Sequence, residues 1–174
     1  MSDSVWTYHH DEPLTRYSLG VDGPRPLVCF GVNPSTAVPN DLDPTLASVE
    51  RFAKSCGYEG WLMFNLYPQR ATNPDKMHKH FNRKIHQRNV EVIADLLQGR
   101  SPDIWCAWGT LIEKRSYLQR CLADIYEVLE NNKCSYYRIG KISKAGHPHH
   151  PLYLRKTEEP KPFDLHSYMD LLST

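Results

Sequence analysis

Hydrophobic residues along this chain fall into two alternating patterns. Short apolar runs at 16–19, 26–30, 61–65, 103–107 and 136–142 read as β-strands. Two runs, Leu27 to Phe30 and Asp103 to Trp108, are apolar without alternation, as strands covered on both faces are. Between the runs, apolar residues recur at helical spacing. Leu46, Val49, Ala53 and Cys56 mark one helix, with Asp43 as its N-cap, Pro44 in its first turn and Gly57 as its stop. Ile85, Val92, Ile93 and Leu96 mark a second over 83–98. Leu111, Leu118, Leu122, Ile125 and Leu129 mark a third over 111–131, and a short last helix is expected from Asp164. The segment 155–163 reads as an exposed connection.

Strands alternating with helices of this length predict right-handed crossovers and an α/β fold, a three-layer α/β/α sandwich around a mostly parallel sheet. A chain of 174 residues suits a single domain. In such sheets ligands bind beyond the carboxyl ends of the strands. Polar clusters stand at the ends of the predicted strands: GVNPSTA from Gly31, FNLYPQRAT from Phe64 and AWGT from Ala107. A fourth, GHPHHPLYL from Gly146, follows the last strand.

Composition narrows the chemistry. The formal net charge of +1 neither demands nor excludes a nucleic-acid partner. No apolar run approaches the roughly 18 residues of a membrane helix, and the N-terminus lacks a signal-peptide pattern, so a cytoplasmic protein without membrane contact is expected. The five cysteines, Cys29, Cys56, Cys106, Cys121 and Cys134, form no CxxC half-site and read as structural thiols. His147, His149 and His150 stand among prolines with no Cys, Asp or Glu between them, so ligand contact is expected from this loop rather than a metal. No cofactor is expected.

Each candidate site residue also has a plainer reading. Asn33, Pro34 and Ser35 all favour turns, while Gly31 before them lets a ligand or another backbone come close. Asn65 either caps a loop or offers its amide, with one donor and one acceptor side by side, to a ligand. Arg70 either clamps a phosphate or pairs with Asp41 or Asp43. Residues 76–88, KMHKHFNRKIHQR, hold five Lys/Arg and three His without an acid. They form either a solvated face or a strip that contacts a phosphate backbone. Trp6, Trp61, Trp105 and Trp108 read as core.

The four clusters, in this order, resemble the motifs of the uracil-DNA glycosylase superfamily. GVNPS is similar to the first motif of its mismatch-specific branch, MFNL to the strand whose last asparagine reads the base, PDIWCAWGT to the glycine-ended strand that follows, and HPLYL to the closing His-Pro motif. GVNPSTA, DPT, NLYPQRAT and GHPHHPLYL together resemble domain of unknown function 1643 over roughly residues 15 to 155.

The glycosylase resemblance implies a glycosylase-like fold and hydrolysis of an N-glycosidic bond. Asn33 would then orient the water, Asn65 would hold the base and His150 would stabilise the departing base. Gly31, Pro34, Ser35, Tyr67, Arg70, Gly109 and His147 complete the expected binding set, with Tyr67 or Phe64 as the stacking ring. The expected ligand is a nucleobase or nucleotide, with DNA as a further expected partner. A base in a duplex would have to be flipped out first. Two alternatives stand beside this: a non-catalytic binding module, and an enzyme acting on free nucleosides or nucleotides. Ser35 stands where the mismatch-specific branch has glycine, and the doubled HPHHP makes His147 a rival to His150.

Overall fold

The computed structural model describes residues 5–174. Seven strands form one sheet: β1 Trp6–Asp11, β2 Thr15–Arg25, β3 Leu27–Gly31, β4 Glu59–Asn65, β5 Asp103–Cys106, β6 Ser135–Arg138 and β7 Lys161–Pro162. The helices are α1 Pro44–Ser55, α2 Arg83–Leu97, α3 Tyr117–Asn131 and α4 Leu165–Leu172. The spatial order of the strands is β1-β2-β4-β3-β5-β6-β7.

The sheet is mixed, which corrects the expectation of a mostly parallel one. β4, β3, β5 and β6 pair in parallel, but β1–β2, β2–β4 and β6–β7 are antiparallel. The reason is connection length. A parallel pairing needs a crossover of a dozen or more residues, and the short turn from Asp11 to Thr15 permits only a hairpin. Only Pro26 separates β2 from β3, and the two strands flank β4 from opposite sides. The 155–163 segment also differs from expectation, because Lys161 and Pro162 pair with β6.

α1 begins as its sequence predicts: Asp43 Oδ1 accepts from the Leu46 N–H at 2.9 Å and Pro44 occupies the first turn. α4 is capped in the same way by Asp164, which accepts from the Ser167 N–H. The third predicted helix is broken. Gly109–Glu113 forms a 3₁₀ segment, and α3 starts only at Tyr117.

Connections run one way from β3 to β4 and the opposite way from β4 to β5 and on to β6. Right-handed crossovers then require α1 on one face and α2 and α3 on the other. The core shows this. Leu27 and Cys29 pack with Leu46, Val49 and Phe52 of α1. Val28 and Phe30 pack with Ile93 and Leu97 of α2 and with Leu118, Leu122 and Ile125 of α3. Trp61, Trp105 and Trp108 are buried, and Trp6 packs edge-on to Trp61. None of the described helices is long and apolar enough to cross a membrane.

Candidate functional site

β3 and β4 end in register, with Gly31 beside Asn65. The ladder continues past the strands, because the Leu66 N–H donates to Gly31 O and the Tyr67 N–H to Val32 O. The two loops that leave this edge are therefore held together. A cleft of about 400 Å³ opens above it, a volume suited to a small ligand. Its wall contains Gly31, Asn33, Pro34, Ser35, Asn65 and His150, joined by Arg16, Asp43 and Thr45. Met63, Leu46, Leu111 and Leu152 supply apolar surface.

Asn33 is fixed by the loop that it faces. Its Nδ2 donates to the carbonyls of Ala71 at 2.8 Å, Pro34 at 3.1 Å and Gln69 at 3.4 Å. Three carbonyl neighbours identify that atom as the nitrogen and leave Oδ1 as the polar atom without an assigned role. Asn65 is 2% exposed, and its Nδ2 has no partner among the described residues. A buried donor left in that state costs about 1–3 kcal/mol. Asn89 of α2 reaches across to donate to Asn65 O at 2.9 Å, fixing the end of β4. Gly31 makes room for the Asn65 amide. A Cβ there would stand 3.1 Å from Asn65 Oδ1 and 2.9 Å from Met63 Cε.

His150 enters from the loop after β6. The Leu152 N–H donates to its Nδ1 at 3.2 Å, which places the proton of the neutral ring on Nε2. Burial, then the neighbouring His149, lowers its pKa, and Asp43 opposes the shift. The ring is therefore a neutral N–H donor at pH 7. Ser48 of α1 ties the same loop down, donating to Pro151 O at 2.9 Å.

Four expected binding residues stand outside the cleft wall. Tyr67 is fully buried, and its hydroxyl bonds His78 Nδ1 at 2.7 Å and accepts from the Asn82 N–H. It packs against Phe81 and Tyr117, and Phe64 is likewise buried, so neither presents a ring to a ligand. Arg70 braces the 33–37 loop instead of facing the cleft. It donates to Ser35 O at 2.7 Å and Ala37 O at 3.2 Å, and it pairs with Glu12 at 3.3 Å rather than with Asp41 or Asp43. Gly109, at φ +61°, donates to Pro148 O and packs beneath His150. His147 is 3% exposed and bonds the Tyr168 hydroxyl at 2.8 Å, while Tyr168 accepts from Trp108 Nε1. Of the two rival histidines, His150 is the one in the cleft wall.

The basic segment 76–88 does not border the cleft either. Part of it is used internally: His78 holds Tyr67, and His86 pairs with Asp124 at 2.7 Å.

Sequence reasoning passed over Arg16. This arginine lies at the start of β2, 1% exposed, and donates to Ala37 O at 3.3 Å. Burial, then the nearby Arg70 charge, lowers its pKa to about 10. The signal was present in TRYSLG, where an arginine precedes a run of small and apolar residues. Its meaning depends on the β1–β2 hairpin, which carries this edge of β2 alongside the end of β4.

The fold and site together define an α/β protein with a mixed sheet and one polar-rimmed cleft above the ends of two central parallel strands. The chain belongs to the family described as Protein of unknown function (DUF1643), whose model matches residues 16–152. No curated protein and no solved structure matches it.

Proposed function

We propose that the cleft binds a nucleobase-bearing ligand and hydrolyses its N-glycosidic bond, on a three-layer scaffold of the uracil-DNA glycosylase kind. The observation that carries this reading is the meeting of Asn33, Asn65 and His150 in one cleft wall, although they are far apart in sequence. Helices on both faces of the sheet support the same reading.

The Asn65 amide carries the donor and the acceptor that the edge of a base requires, and a turn of the side chain toward the cleft gives the enclosed Nδ2 the bond that it lacks. Asn33 Oδ1 accepts a hydrogen bond from the attacking water. The water oxygen bonds to the anomeric carbon as the bond to the base nitrogen breaks. The electron pair leaves with the base, and the proton shed by the water passes to the base or to solvent. His150 Nε2–H donates to the base oxygen on which negative charge develops, an interaction strongest in the transition state. Among the described residues no Phe, Tyr or Trp lines the cleft, so the base packs against aliphatic side chains and the imidazole.

Binding without turnover is the second reading. It is favoured by the commitment of the Asn33 amide nitrogen to loop carbonyls.

The test is to incubate the protein with uracil- and modified-base oligonucleotides, single- and double-stranded, and with free nucleosides and nucleotides, and to measure released base. Release that disappears in Asn33→Ala is the expected result. Release no greater than in Asn33→Ala, for every substrate, contradicts catalysis.

A further inference from the structure

Arg16 is a buried cation with too few partners. Its Nε is enclosed by protein without a hydrogen bond. Nη1 has the single carbonyl of Ala37. Nη2 has no hydrogen-bond partner among the described residues, and the side chain, although 1% exposed, forms part of the cleft wall. Among the described residues no carboxylate pairs with it. Asp43 shares the cleft and its charge favours the Arg16 cation, but its Oδ1 bonds the α1 cap and it forms no ion pair with the guanidinium. A buried guanidinium in that state is costly unless an anion completes it.

A second set of donors faces the same space. The twelve-residue helix α1 points its first turn at the cleft. Pro44 has no N–H, and the Thr45 N–H stands in the first turn, where a helix has no intrahelical acceptor, so this helix start presents a donor and the positive end of its dipole. The Ser35 and Thr72 hydroxyls, 2.7 Å apart, also line the cleft.

We infer that Arg16 and the first turn of α1 form a phosphate subsite, and that the ligand is a free nucleoside monophosphate with its base at Asn65 and its phosphate at Arg16. This rests on the reading of the cleft as a nucleobase site. A phosphate satisfies several donors at once, as a guanidinium and a helix start require. The cleft volume of about 400 Å³ suits one nucleotide. The basic segment 76–88, which a polymer backbone would need, contributes no residue to the cleft wall. A backbone phosphate beside a flipped base is the other source of the same chemistry.

The test is calorimetric titration of the full chain with nucleosides, their 5′-monophosphates, inorganic phosphate and a short single-stranded oligonucleotide. Wild-type protein is expected to bind a monophosphate at least roughly tenfold tighter than its nucleoside, a difference of about 1.4 kcal/mol. Arg16→Gln should erase that difference. Arg16→Lys, which keeps the charge, guards against a folding defect, and the wild-type comparison needs no variant.

Equal affinity for nucleoside and monophosphate overturns the phosphate subsite and leaves the nucleobase reading standing. Arg16-dependent binding of inorganic phosphate, with no ligand bearing a base bound more tightly, supports the subsite and overturns the nucleobase reading. Tighter binding of the oligonucleotide than of any monophosphate overturns the free-nucleotide assignment.

Discussion

Asn65 and His150 do different work from the same wall. Asn65 is held by backbone: its carbonyl is fixed by Asn89, and its side chain has room because residue 31 is glycine. His150 is held by its own ring, which accepts the Leu152 N–H. Protonating Nδ1 would break that bond, and burial already disfavours the charged ring. A histidine whose folded pKa is lowered contributes stability above its unfolded value, about 6.5, and loses it as pH falls through the folded value. Nucleoside affinity, free of the phosphate's own titration near pH 6, is therefore expected to stay level above about pH 7 and to fall only below the ordinary histidine range. His150→Gln, which has no imidazole to titrate, should remove that acid limb. A wild-type affinity that changes steeply between pH 7 and 8 would contradict a neutral His150.

At the scale of elements, α1 serves both the fold and the cleft. Asp43 caps the helix and faces the ligand space. Asp43→Ala should cost about 1 kcal/mol, or roughly 2–4 °C in melting temperature for a chain of this size. Asp43→Asn keeps an acceptor for the cap and should melt near wild type. Equal melting temperatures for Ala and wild type would show that the cap contributes little.

This helix was readable because its signals are local: an Asp-Pro start, apolar residues at helical spacing and a closing glycine. The β3 and β5 runs were readable for a similar reason, since strands buried on both faces need no partner to be recognised. β1 was not. Its WTYHHD sequence mixes half-buried and exposed positions, and its pairing with β2 is set by a hairpin without a strong local turn signature. The gap between the 3₁₀ segment and α3 was masked because Leu111 and Leu118 happen to share one helical stripe. Motifs at element ends single out Asn33, Asn65 and His150, which share one cleft wall. The same motifs include Tyr67 and His147, whose side chains turn into the core, a direction that position in a loop does not reveal.

For the whole molecule, topology makes the cleft. The chain leaves β3 toward α1 on one face and β4 toward α2 on the other, and the cleft lies where the strand order reverses, above Gly31 and Asn65. Arg70 and Ser48 brace the loops that rim the gap, from β4's side and from α1. The antiparallel β2 brings Arg16 to the same edge, which a wholly parallel sheet would not have done. Whether these distant residues serve one nucleobase site is decided by calorimetric titration of wild type and Asn65→Ala with nucleosides and their monophosphates. Saturable binding by wild type is expected, weakened about tenfold or more by Asn65→Ala, with little loss of stability because the residue removed carries an unpartnered buried donor. Binding of equal strength by the two proteins, or none by wild type, would contradict a shared nucleobase site.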